Sequence, residues 1–168
     1  QTSTPVAPSN VNPATDGTVV DGASGGTVTY RNSAATRRLK LVPALESILQ
    51  SAANSAGVDV VIFSGGQDET TGTVGSHRHD DGYAADIWLY KNGNRLSMVS
   101  NVAEASDFAA AAKSAGALSI GAGSGYMGGV GMHVDISPGN TVALASAKYW
   151  GSGGRSANAP SWLRGIMA

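Results

Sequence analysis

The chain carries three histidines, and two of them, His77 and His79, fall in the stretch GSHRHDDGYAADIWLY from Gly75 to Tyr90, with Asp80, Asp81 and Asp86. The third, His133, stands in VGMHVDIS two residues before Asp135. Cysteine is absent, so thiolate metal sites and disulfides are excluded, and any bound metal must be held by His, Asp or Glu. Two neutral imidazoles and one carboxylate leave one position of a tetrahedral zinc ion open, the pattern of a catalytic rather than a closed structural site. The competing reading is that each histidine is an ordinary satisfied polar residue, which for any single histidine is the commoner case.

The elements that must position these residues follow from periodicity. Val130, Met132, Val134 and Ile136 alternate with Gly131, His133, Asp135 and Ser137. A strand sends these two sets to opposite faces, so His133 and Asp135 share a face away from the core. Asp86 holds the equivalent place in YAADIWLY, where Ala85, Ile87 and Leu89 form the aliphatic side. If the two strands pair, one open face carries Asp86, His133 and Asp135, with His79 at the strand entrance. Small residues at Gly82, Ala84 and Ala85 leave room around them.

Helical spacing of Leu45, Ile48, Leu49, Ala52 and Ala53 predicts a helix that starts near Pro43 and ends at Gly57. The β-branched run VDVVIFS, Val58 to Ser64, predicts a buried strand, and Gly65 to Ser76 a long loop. KNGN marks a hairpin turn into RLSM. VAEASDFAAAAKSAG predicts an alanine-rich helix closed by Gly116, ALSIG a short strand, and GAGSGYMGGVG a glycine loop. AKYWGSG and PSWLRGIMA predict a terminal loop and a short docking helix. The order argues for an α+β fold: one small domain with a mostly antiparallel sheet, helices on one face and the metal site on the open face. Residues 1–30, rich in Pro, Ser, Thr and Gly, read as an extended arm, and 31–168 as the folded domain.

Charged residues make up 14% of the chain and the net charge is −1, so nothing electrostatic points to nucleic acid or an anionic membrane as partner. No apolar run reaches the length of a membrane span. The N-terminus begins at Gln1 and lacks the pattern of a signal peptide, which leaves a leader already removed or a skipped residue as readings. A surface made polar largely by Ser, Thr, Asn and Gly is common in secreted proteins and virion components. The expected setting is therefore extracellular, periplasmic or virion-associated.

HDDGYAAD, His79 to Asp86, matches H-x-x-G-x-A-x-D, and in this the chain resembles the M15-type metallopeptidases, the group of D-Ala-D-Ala carboxypeptidases and peptidoglycan endopeptidases. MHVD resembles the second motif of that family, and the helix before VDVVIFSGG its order of elements. The likeness runs from about Leu41 to Ser137. SGGQ, TGTVGSHRHDDG and IGAGSGYMGG further resemble a branch met in phage and bacterial cell-wall-lytic proteins. The resemblance implies His79, Asp86 and His133 as zinc ligands and a peptidoglycan stem or cross-bridge peptide as substrate. The arm would serve as a contact to other virion proteins.

Two departures shape the expectation. Many members carry Glu three residues before the last histidine as general base, and Val130 stands there. Asp135 then becomes the expected base, with His77 as the other proton carrier. Where the family often has Arg for a substrate carboxylate, Gln67 stands, which favours cleavage within a peptide over carboxypeptidase action. Arg78 and Tyr126 are the further expected substrate contacts. The same departures keep open a non-catalytic reading, a virion structural or cell-wall-binding module of the same fold. Other chemistries lose ground: GSGYMG is followed by a strand rather than a helix, no histidine follows His133, and no G-x-S-x-G is present.

Overall fold

The computed structural model describes residues 26–31, 37–68, 77–136 and 148–168. Helix α1 runs Pro43–Ala56, with Pro43 in its first turn and Gly57 closing it in the left-handed conformation. Its buried stripe is Leu45, Ile48, Leu49, Ala52 and Ala53. Helix α2, Val102–Ala115, ends at Gly116 and buries Ala105, Phe108, Ala109 and Ala112. Small alanines let the two helices lie close against each other and against the sheet. Helix α3, Ser161–Met167, completes this layer with Leu163 and Met167.

Among the described residues the sheet has seven strands: β1 Val28–Tyr30, β2 Asp59–Ser64, β3 Ala84–Lys91, β4 Asn94–Arg95, β5 Ser119–Gly121, β6 Gly131–Asp135 and β7 Tyr149–Trp150. Their order is β1-β2-β3-β6-β5-β7, with β4 a hairpin partner of β3. The pairs β1/β2 and β5/β7 are parallel and the rest antiparallel, so the fold is α+β with a mostly antiparallel sheet. Val60, Ile62, Ala85, Ile87, Leu89, Ile120, Met132 and Val134 form the buried side of the sheet and share one core with the helices. Alternation sends Asp86, Trp88 and His133 the other way.

Two segments differ from expectation. Val28–Tyr30, assigned to the arm, pairs in parallel with Val60–Ile62. Tyr30 also ties β1 to α1 through Glu46 and to the Leu41 amide at 3.0 Å. A three-residue strand is too short to announce itself by periodicity. Tyr149–Trp150, expected as loop, is an edge strand on Ile120–Gly121. Residues 1–25 of the arm lie outside the described residues, as do 69–76 of the long loop.

The turn that delivers His79 is packed backbone to backbone. His77–His79 form a single 3-10 turn. Gln67 N–H donates to the His79 carbonyl and Asp81 N–H to the Gln67 carbonyl, each at 2.9 Å. Gly82, at φ +85°, follows directly, and a Cβ there would meet the Lys40 carbonyl at 2.4 Å. Gly82→Ala should therefore destabilise the fold by at least ~2 kcal/mol, combining left-handed strain with overpacking. Denaturant unfolding would measure it, and an unchanged midpoint would show that the turn relaxes freely.

Candidate metal centre

Register brings the two strands of the site together: Asp86 lies directly across from His133, and Ala84 across from Asp135. A bulge in β2 leaves Phe63 as the extra residue between Ile62, opposite Ile87, and Ser64, opposite Asp86. Bulges of this kind re-aim side chains beside functional sites. The turn after the long loop then lays His79 over the same face. His79, Asp86 and His133 each offer a ligand atom, all within 4.8 Å of one another, and all three residues are buried. This group could hold a metal ion.

Each ligand is fixed from behind. His79 Nδ1–H donates to the Gly65 carbonyl at 2.7 Å, which turns Nε2 towards Asp86 Oδ1, 3.4 Å away. His133 Nε2–H donates to Asp135 Oδ2 at 3.0 Å, leaving Nδ1 2.8 Å from Asp86 Oδ1. Asp86 Oδ2 accepts from Arg37 at 3.2 Å. Outer partners of this type set the tautomer and orientation of metal-binding histidines. The donor set, two ring nitrogens and a carboxylate oxygen with their far sides occupied, is one that a divalent cation could take.

Electrostatics agree with that geometry. Burial pushes the Asp86 carboxyl up, but its pairing with His133 outweighs this and holds the group well below the usual carboxylate range. Burial pushes Asp135 up as well, and His133 and Arg78 together bring it below its ordinary value. Burial pushes His133 down, yet its bonds to Asp135 and Asp86 raise it overall, so without metal it tends to carry a proton on both nitrogens. His79 goes the other way: burial dominates and keeps it neutral. A cation bound at His133 Nδ1 would replace the proton shared with Asp86.

The remaining expected residues are distributed differently. Asp135, expected as general base, is fully buried, and its Oδ2 accepts from both His133 and, at 2.7 Å, Arg78. A carboxylate neutralised by a buried guanidinium is a weak base, so its position makes it the residue that orients His133. Arg78 is itself 6% exposed, donates to Ser119 Oγ at 2.9 Å and lies 4.6 Å over the Trp150 ring. It is an internal brace rather than a substrate contact. Gln67, also expected at the substrate, is 5% exposed and bridges Arg37 at 3.2 Å to Asp80 at 2.6 Å.

His77 is the half-exposed member of the turn, with Nδ1 3.0 Å from Asp80 Oδ2. Gln67, Asp80 and His77 thus form a hydrogen-bonded chain that ends on an accessible imidazole. Tyr126 packs edge-on to Trp150 at 6.5 Å, and burial raises its phenol to about 12, so it stays protonated at neutral pH. Through Trp150, whose ring also lies against that of His133, it stands one ring away from the centre.

Arg37 and Trp150 were not among the site residues expected from the sequence, where Trp150 read only as a docked residue of the terminal segment. Arg37 lies outside every motif, in the segment before α1. Trp150 packs 5.1 Å from the His133 ring, and a Cβ on Gly121 would strike its indole nitrogen at 2.2 Å. A glycine inside the strand SIG was the one local sign that something large comes close.

Two outcomes follow. Asp135→Asn should weaken any divalent-metal binding, with zinc as the probe, ~10–100-fold through loss of the His133 orienter. It should also cost about 3–5 kcal/mol of stability, because Arg78 is left buried without its counter-charge. Zinc titration and denaturant melts read the two effects separately, and unchanged values would remove Asp135 from the centre. The second outcome concerns pH. A raised His133 pKa stabilises the metal-free fold below about pH 6.5, and that contribution is lost as pH rises through the raised folded value. Asp86 and Asp135, held low, contribute above about pH 4 and lose it in acid. The melting temperature of chelated protein should fall as pH rises above about 6.5 through the raised His133 value, while the gap to metal-loaded protein widens, since metal uptake there releases fewer protons. A gap that is flat with pH would mean that His133 holds no extra proton. No family model, curated protein or solved structure matches this chain, so the centre is read from its own geometry.

Proposed function

We propose that the chain is a zinc-dependent peptidase that cleaves peptidoglycan stem or cross-bridge peptides, with cleavage inside the peptide favoured over removal of a C-terminal residue. The observation that carries this reading is the convergence of three buried side chains, His79, Asp86 and His133, whose possible ligand atoms lie within 4.8 Å of one another. Held there by His79, Asp86 and His133, zinc would supply Lewis-acid chemistry at neutral pH. The motif likeness at His79–Asp86 adds the substrate class. The absence of a C-terminal-carboxylate receptor at Gln67, which is built into the protein, favours internal cleavage.

The chain's own groups then have separate tasks. Arg37 and Asp135 hold Asp86 and His133 in place, so that neither rotates when substrate enters. His77, steadied at Nδ1 by Asp80, can take and return a proton at Nε2. The Tyr126 phenol, protonated at working pH, can donate to a carbonyl oxygen as negative charge develops on it. No helix among the described residues is long and apolar enough to cross a membrane. Extracellular, periplasmic or virion-associated action belongs to this proposal as well, with the arm as the segment that would contact other virion proteins.

A second reading has one specific observation behind it. Val130 occupies the family's base position, and Asp135 is neutralised by Arg78, which suits a cell-wall-binding or virion structural module that keeps the metal group without turnover. Digestion of purified sacculi with and without chelator, with the released fragments identified by mass, separates the two. The peptidase reading expects chelator-sensitive release of peptides. It also expects loss of stoichiometric zinc in His79→Ala, Asp86→Ala and His133→Ala. His77→Gln should keep its zinc and lose ~100-fold in turnover, the scale of a missing proton carrier. Zinc binding without release would leave the module reading standing.

A further inference from the structure

Two glycines flank His133 on the open face, and a large side chain from elsewhere covers each of them. Gly121 lies directly across from His133 on β5, and Gly131 stands two residues before it on β6, across from Trp88. Strand alternation turns Gly131 to the same face as His133. Trp150 takes the space over Gly121. Over Gly131 it is Met127: a Cβ there would meet Met127 Cβ at 2.7 Å and its Sδ at 2.9 Å. Glycine inside a strand marks such close approaches. Met127 is half-buried, so part of its side chain reaches the surface. Val99, 52% exposed, lies against Gly129 of the same loop, 3.4 Å from where a Cβ would stand.

Met127 keeps this place on a strained backbone. Its φ is +46°, in the left-handed region that residues with a Cβ avoid. Gly128 and Gly129 follow it at +67° and +72°, and a third glycine at 127 would make the same turn without strain. The turn therefore does not call for a methionine. What the side chain adds is an adaptable apolar cover on Gly131, about 7 Å along the strand from His133. Backbone strain of this kind gathers where a side chain has a task to perform. Tyr126, the preceding residue, goes to the other flank of His133, edge-on to Trp150.

We propose that Met127 is a specificity-determining residue: with Val99 it forms an apolar subsite for a side chain of the peptide within two residues of the bond at the metal centre. The spacing follows from the strand, since about 7 Å corresponds to two residues of an extended peptide. The subsite rests on the peptidase reading for its substrate, and it makes that substrate a peptide with an apolar residue close to the scissile bond. Recognition here is burial of apolar surface and draws on no hydrogen-bond donor or charge of the protein. An unbranched thioether can settle on alkyl groups of different length, from a methyl upwards.

Alkyl hydroxamates test this, because the hydroxamate group binds a metal ion and its tail then samples the surface beside it. Acetohydroxamate, butanohydroxamate and hexanohydroxamate are titrated against the zinc-loaded full chain. Wild-type affinity should rise at least ~10-fold from the shortest to the longest, since one fully buried methylene gives about 4-fold. Met127→Gly should keep its zinc and its acetohydroxamate affinity and lose most of that gain. Met127→Gln keeps the length of the side chain, should lose the gain as well, and carries the test if the glycine variant does not fold. Leu118→Ala removes an exposed apolar residue next to the far end of β5 and should behave as wild type. An affinity that ignores tail length, a gain that persists in both Met127 variants, or an equal loss for all three hydroxamates overturns the subsite. Failure of every hydroxamate to bind overturns it too. Fragment release from sacculi is scored separately with the same preparations. Chelator-sensitive release with a flat hydroxamate series sinks the subsite and keeps the peptidase, whereas tail-dependent binding without release keeps the subsite and sinks the peptidase.

Discussion

The Asp86 carboxylate is the constraint around which the rest of the site is arranged. One of its oxygens faces two histidines and the other a guanidinium, and the whole group is 5% exposed in the middle of a sheet. A carboxylate in that position costs several kcal/mol unless its partners are held in good geometry. Most local features serve that end. The β2 bulge aims Ser64 and Phe63 around it, the glycine-rich turn brings His79 over it, and Arg37 closes its far side. Among the described residues no buried side-chain polar atom is left without a partner.

A second carboxylate repeats the arrangement one layer out. Asp135 lies between His133 and Arg78, and Arg78 between Asp135 and the Trp150 ring. Two aspartates are therefore matched by two arginines before any metal is considered. A divalent cation on neutral imidazoles would leave the loaded centre net positive and attractive to anionic groups. His133 stands between these states, since its bonds to Asp135 and Asp86 favour the protonated ring that a cation would have to displace.

The sheet separates stability from chemistry. Its helix side is an uninterrupted aliphatic core that includes Leu45, Leu49, Phe108, Ile87 and Met132. Its open side carries the metal group and the aromatic and arginine residues next to it. Because alternate residues of β3 and β6 face opposite ways, the same short strands supply both without compromise. This division lets the open face spend its surface on buried charge while the helices supply the apolar burial that holds the domain together.

Period-2 and period-3.6 patterning alone determined much of this: α1, α2, β2, β3 and β6, the α+β class, and the shared face of Asp86, His133 and Asp135. Those signals are local, since each is written in the alternation of neighbouring residues. The proximity of His79 was legible as well, because only six residues lie between it and Asp86 and the motif between them needs a glycine turn. Partner choice was not legible. Arg37 and Arg78 reach aspartates 49 and 57 residues away, and no spacing rule connects them. Asp135 looked available as a base because a strand pattern gives the face of a side chain but not what already occupies it. Gln67 and Trp150 were misread for the same reason, as a bridge and an edge strand exist only after the segments meet. Chemistry-bearing residue types and their faces are properties of the chain; which of them neutralise one another is decided by packing, where low dielectric makes each pairing matter.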